Sequence, residues 1–188
     1  MNELEKANYS YYQADNTVQI KKYIGENPTL LMTNVIRALQ GEKSLIIAPT
    51  GAGKTRETID KLKTADIKAI FIVPNALNVE QIKQEYSIPG AWGDIPITKE
   101  LEKGKLIVVT WDKFIQIDRN ILEEYIVVLD EVHQIYIDMF RSLKINKLYD
   151  KLNYCKGQIH ITATPNKLNF EEYNYILEYK HINIYLVY

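Results

Sequence analysis

The tract Ala48-Pro49-Thr50-Gly51-Ala52-Gly53-Lys54-Thr55 constrains this chain more than any other. It follows the apolar run Leu45-Ile46-Ile47, which reads as a buried strand. It precedes Arg56-Glu57-Thr58-Ile59-Asp60-Lys61-Leu62, which reads as the start of a helix. Strand, small-residue loop and helix N-terminus together form the context in which a backbone cradles phosphate. Gly51 and Gly53 let the chain curl so that successive N–H groups converge, and the helix start adds partial positive charge. Pro49, Thr50 and Ala52 complete the loop. Lys54 has the reach for the β- and γ-phosphates of a nucleotide, and the Thr55 hydroxyl can ligate Mg²⁺. Ala48 stands where a glycine is usual, a small departure. The plain alternative is a glycine-rich turn with an incidental Lys-Thr pair, and the flanking strand and helix argue against it.

Apolar strands and helices alternate along the rest of the chain. Strands are expected at 44–48, 68–73, 106–109, 125–129, 158–162 and 182–187. Helices are expected at 29–40, after the phosphate loop, at 76–86 with Asn75 as cap, at 98–103, at 111–117 and at 170–179. A long helix is expected from Gln134 to about Tyr154, with a break near Lys144. Gly41 stops the first of these helices, and 87–96 reads as a loop. Residues 1–27 read as an N-terminal arm or docking helix, with helical spacing over Val18–Ile24. The alternation predicts an α/β domain over 28–188, a mainly parallel sheet sandwiched by helices. Ligands in such folds bind at the carboxyl ends of the strands.

A second pair of functional groups stands at such an end. Asp130-Glu131-Val132-His133 follows the apolar strand Tyr125–Leu129. Asp130 can hold the Mg²⁺ that bridges phosphates, and Glu131 is placed to orient or deprotonate an attacking water. His133 can couple the site to a neighbouring segment. A solvated Asp-Glu pair at a strand end is the bland alternative, and the upstream loop weighs against it.

Composition narrows the remainder. The chain has 188 residues and is 46% hydrophobic, enough for one well-filled domain. No apolar run approaches a membrane span, and the N-terminus has no secretory pattern. Cys155 is the single cysteine, so no internal disulfide and no Cys-based metal site is expected, and a cytoplasmic location follows naturally. The formal net charge of −1 argues against a strong stand-alone nucleic-acid binder but leaves room for a local basic groove.

The ordered set of motifs resembles the first motor domain of superfamily 2 helicases, the DEAD/DEAH-box and related DExH group. Ala48–Thr55 resembles motif I, and Asp130–His133 resembles motif II with Val in the variable place. Thr162-Ala163-Thr164-Pro165 resembles motif III, Val73-Pro74-Asn75-Ala76-Leu77 motif Ia, and Val109-Thr110-Trp111-Asp112-Lys113-Phe114 motif Ib. The resemblance implies a RecA-like, phosphate-loop domain using ATP and Mg²⁺, with Lys54, Asp130 and Glu131 in catalysis. It implies that His133, Thr162, Ala163 and Thr164 couple nucleotide state to nucleic-acid grip. Pro74, Asn75 and Thr110 would line the DNA or RNA backbone, contacts that read no base sequence. For Thr110 an ordinary helix cap is the alternative, and for Thr162 and Thr164 half-buried strand hydroxyls.

Two departures accompany the resemblance. Tyr12-Gln13 offers adenine-recognition chemistry, but well upstream of its usual place. Motifs of a second RecA-like domain, including its arginine, have no counterpart, so slow hydrolysis is expected until such a domain is supplied in cis or trans. The competing expectation is a stand-alone ATP-binding switch that acts on a protein partner without helicase activity.

Overall fold

The computed structural model describes residues 17–20, 24, 29–137, 142–165, 168 and 170–179. Among them one sheet holds eight strands: β1 (Thr17–Ile20), β2 (Lys43–Ile47), β3 (Ala69–Val73), β4 (Gly90–Ala91), β5 (Leu106–Thr110), β6 (Ile126–Leu129), β7 (Gly157–Thr162) and β8 (Tyr175–Tyr179). All pairings are parallel, in the spatial order β1-β8-β2-β7-β6-β3-β5-β4. The helices are α1 (Thr29–Leu39), α2 (Lys54–Ala65), α3 (Ala76–Tyr86), α4 (Ile97–Leu101), α5 (Trp111–Phe114), α6 (Arg119–Leu122), α7 (His133–Ile137) and α8 (Ser142–Leu152).

The strands read as continuous apolar runs because both faces of the sheet are covered. Every residue of β3, β5 and β6 is buried. Side chains alternate between two cores: Phe71 and Val73 join Leu31, Val35, Ile59, Leu62 and Val79 from α1–α3. Ile70 and Ile72 join Trp111, Phe114, Ile135, Leu148 and Leu152 from α5, α7 and α8 on the other face. The result is three layers, as the alternation predicted. Gly41 ends α1 with φ 88°, its N–H donating to Ala38 O at 3.0 Å. Asn75 caps α3 by accepting the Asn78 N–H at 2.9 Å.

Three expectations need correction. Val18–Ile20 is not helical. Together with Thr17 it forms an edge strand whose β-branched residues pair in register with β8, Thr17 opposite Ile176 through Ile20 opposite Tyr179. Phe170–Tyr179 is not one helix either: a single 3₁₀ turn at Phe170–Glu172 leads into β8. Tyr175-Ile-Leu-Glu-Tyr lies between β1 and β2, where its backbone groups find partners on both sides. Within the expected 87–96 loop, Gly90–Ala91 forms β4 against β5. The long helix is described as α7 and α8, with 138–141 between them outside the described residues. The expected strand at 182–187 lies outside them as well, as does the arm up to residue 16.

Gly157 opens β7 where the sheet passes beneath the end of α1. A Cβ there would lie 1.9 Å from the backbone oxygen of Ala38. Gly157→Ala should therefore force α1 and β7 apart and cost about 1–3 kcal/mol, read as a lower midpoint in urea unfolding.

Candidate functional site

Sheet order builds the site. β7 lies between β2 and β6, so the loop after β2, the turn after β6 and Thr162 at the end of β7 meet at one edge. Backbone bonds weld the junction: Ala48 N–H donates to Thr162 O at 3.1 Å, and Val132 N–H to Ile161 O at 3.0 Å. β3 and then β5 continue the same edge, carrying Pro74-Asn75 and Thr110.

The phosphate-type loop adopts the expected curl. Gly51 and Gly53 have φ of 77° and 82°, and a Cβ at either would meet nothing within 4 Å. The glycines are thus required by backbone conformation rather than by crowding. Ala52 N–H closes the turn on Pro49 O at 3.1 Å. Lys54 begins α2, and its side chain is almost wholly buried. Its ammonium lies 3.4 Å from Glu131 Oε1. Thr55 Oγ1 donates to Asp130 Oδ2 at 3.0 Å. Gly51, Gly53, Lys54, Thr55, Asp130 and Glu131 all line one cavity of about 380 Å³. Its far wall is α3, including Asn78 and Gln81. Asn78 went unnoticed in the sequence, and its one signal is its position three residues after the Asn75 cap.

Two features of the acidic turn are energetically unfavourable by themselves. Glu131 has φ 51°, a left-handed conformation that costs a non-glycine residue about 1–2 kcal/mol. Its N–H donates to Asp130 Oδ1 at 3.0 Å, and its carbonyl accepts from Gln134 N–H at 2.9 Å. Burial, and then the charge of Glu131, push the Asp130 carboxyl up to about 6. The Thr55 hydroxyl, Lys54 and the Glu131 N–H pull the other way. A buried carboxylate held above its ordinary range beside a second carboxylate, with a hydroxyl bonded to it, is a donor set that fits a divalent cation.

His133 Nδ1 lies 3.0 Å from Thr162 Oγ1 and 3.2 Å from Glu131 Oε2. One ring nitrogen can either accept from the hydroxyl or donate to the carboxylate, so these contacts compete for a single nitrogen. Thr162 Oγ1 also accepts the Thr164 N–H at 2.9 Å. Thr162 is thus a fully buried, bonded hydroxyl, whereas Thr164 is exposed and Ala163 half-buried. Thr110 occupies the cap position of α5, yet its side chain makes no capping hydrogen bond. Pro74, Asn75 and Thr110 stand on the β3 and β5 side of the edge, apart from the cavity.

An α/β domain with a glycine-rich loop, a strand-end acid pair and this strand order is a RecA-like domain of the superfamily 2 helicase type. A family model described as "Type III restriction enzyme, res subunit" matches residues 6–167, and the chain belongs to that family. No curated protein matches the sequence. A solved structure from Sulfolobus tokodaii, described as a hypothetical ATP-dependent RNA helicase, is similar with TM-score 0.61 at 17% identity. That likeness covers 96% of this chain and 57% of the other, so the chain spans little more than half of that protein's length. The UvsW helicase of bacteriophage T4 is similar with TM-score 0.56 at 14% identity, covering 94% of this chain and 68% of that one. The Hef helicase domain of Pyrococcus furiosus has TM-score 0.55 at 21% identity, covering 81% and 38%. These likenesses establish a shared fold.

Unfolded aspartate titrates near 3.8 and folded Asp130 near 6. Between those values the folded chain holds a proton that the unfolded chain has lost. Stability from this group therefore falls as pH rises through the window and stays lower above it. Asp130→Asn should stabilise the metal-free chain by about 1–3 kcal/mol at about pH 8, the gain shrinking towards about pH 4. Urea unfolding of both proteins at the two pH values measures it.

Proposed function

We propose that this chain is the ATP-binding motor domain of a DExH-type helicase or translocase. It would couple MgATP hydrolysis to the remodelling of DNA or RNA once a second RecA-like domain, in cis or in trans, faces the cavity. The observation that carries the reading is the convergence of Lys54, Thr55, Asp130 and Glu131 on one cavity at a helix N-terminus. The family membership supports it.

In this reading the loop 49–55 wraps the phosphates with its backbone N–H groups, and the Lys54 ammonium neutralises the β- and γ-phosphates. Thr55 and Asp130 hold Mg²⁺. When bound, that ion supplies charge neutralisation as the terminal phosphoryl group departs. Glu131 orients the attacking water and takes its proton. Its carboxylate is already within reach of Lys54 and His133, so its position depends on both. His133 then relays the state of Glu131 to Thr162 and the following Ala163-Thr164, because one ring nitrogen serves either partner. Pro74, Asn75 and Thr110 lie along the nucleic-acid backbone. The lack of a capping hydrogen bond from the Thr110 side chain favours this over a mere capping role. Among the described residues no helix is long and apolar enough to cross a membrane.

Lys54→Ala should abolish nucleotide binding, measured by titration with a fluorescent ATP analogue. Retained binding would remove the phosphate-loop assignment. Glu131→Gln should keep MgATP affinity and lower turnover about 10²–10⁴-fold once the second domain is supplied. Unchanged turnover would show that Glu131 is not the base.

A further inference from the structure

One wall of the cavity has no part in the reading above. The loop, Lys54, Thr55 and the acid turn line one side, and α3 lines the other. Asn78, Gln81 and Glu85 stand at i, i+3 and i+7 of that helix, so they form one polar stripe facing the cavity. Val79 and Ile82 are buried in the core beside them and fix the rotation of the helix. Asn75 Oδ1 accepts the Asn78 N–H at 2.9 Å, which pins the first turn. Asp130 N–H donates to Ile72 O at 2.9 Å, so the acid turn is tied to the strand that feeds α3. The stripe and the acids are thus held on one frame. The outer end of this wall is charged. There Arg56 Nε lies 4.0 Å from Asp60 Oδ2, and burial, then Glu85, push the Tyr86 hydroxyl up to about 12. The inner end, at the first turns of α3, holds two carboxamides. Among the described residues neither the Asn78 nor the Gln81 side chain makes a hydrogen bond.

Each carboxamide offers two N–H donors and an acceptor oxygen in an uncharged group. A phosphoryl group held by Lys54 turns oxygens away from the loop. The cavity of about 380 Å³ is near the small end for ligand sites, so those oxygens face α3. Neutral donors suit this place. They bond phosphate oxygens without competing with a cation for Asp130, and they add no charge beside Glu131. We propose that Asn78 and Gln81 are ligands of the terminal phosphoryl group, donating side-chain N–H bonds to its oxygens across the cavity from Lys54. They make the site discriminate a nucleoside triphosphate from a diphosphate. The contact ends on the helix that begins after Pro74-Asn75, so the presence of the terminal group is read directly by α3. This rests on the nucleotide reading above and adds to it two residues from the opposite wall.

The test is titration of the full chain with a fluorescent β,γ-imido ATP analogue and, in parallel, with fluorescent ADP, both at fixed Mg²⁺. Asn78→Ala/Gln81→Ala should weaken the triphosphate analogue about fivefold to fiftyfold and leave ADP unchanged. Asn78 is half-buried and Gln81 exposed, so the melting temperature should stay near that of the wild type. Gln81→Glu keeps the side chain's shape and sets a negative charge against the phosphate, so it should weaken the triphosphate more than the diphosphate. Glu80→Gln is the control, because Glu80 lies on the opposite face of α3 and should alter neither affinity. Unchanged triphosphate affinity in the double variant overturns the α3 assignment alone. Equal losses for the two nucleotides overturn it as well, since α3 then does not read the terminal group. Binding of neither nucleotide by the wild type overturns the nucleotide reading and this inference together.

Discussion

The whole edge depends on β7 lying between β2 and β6. Two backbone hydrogen bonds, Ala48 to Thr162 and Val132 to Ile161, lock the loop and the acid turn to this one strand. The two are distant in sequence, yet across that strand Thr55 Oγ1 donates to Asp130 Oδ2 at 3.0 Å. A parallel sheet makes the arrangement durable, since every strand delivers its carboxyl end to the same side. β7 is buried on both faces apart from Gln158, so its position is set by packing on two cores at once.

On that rigid frame the site itself is poised unfavourably. Asp130 is buried beside Glu131, Glu131 holds a left-handed backbone, and Lys54 is almost wholly enclosed. Each cost falls on a residue whose neighbours partly offset it: the Thr55 hydroxyl and Glu131 N–H for Asp130, the Lys54 ammonium for Glu131. Such local conflict inside a well-packed frame is what a ligand of complementary charge relieves. His160 is the contrast. It is equally buried, and burial depresses its basicity well below the ordinary histidine range. Both of its nitrogens are nevertheless satisfied, by Tyr173 Oη and Gln158 Oε1, and it lies in the core away from the cavity. It reads as structure.

The legible parts of the chain were those whose signal is local. Strands β3, β5 and β6 announce themselves because burial on both faces demands near-continuous apolar runs, and β2 and β7 by the shorter apolar stretches Leu45-Ile46-Ile47 and Ile159-His160-Ile161. The loop 48–55 announces itself because its glycines and its Lys-Thr sit between a strand and a helix. β1 and β8 were misread for the opposite reason. Thr17-Val-Gln-Ile has too few residues to show a period, and its strand character comes from pairing with a segment far along the chain. Tyr175-Ile-Leu-Glu-Tyr suits a helix face or a strand equally, and only the open place beside β2 decides. The left-handed backbone of Glu131 has no sequence signal at all, because the residue type argues against it.

Sequence order also conceals the order in which the motifs stand. Along the chain they run from the phosphate loop through Pro74 and Thr110 to Asp130 and Thr162. Across the edge they run phosphate loop, Thr162, Asp130, Pro74, Thr110. The spatial series separates the residues around the cavity from those on the β3 and β5 side, with the acid turn between them. Asp130 N–H donates to Ile72 O at 2.9 Å, so the acid turn is tied backwards to β3 just as Val132 is tied to β7. In the proposed reading a shift of Glu131 would be felt on both sides, through His133 at Thr162 and through the backbone of Asp130 at the end of β3 that leads to Pro74. A two-state element needs only such a pivot, with contacts that differ between its states. In the proposed reading the His133 nitrogen, shared by a hydroxyl and a carboxylate, would provide a contact of that kind.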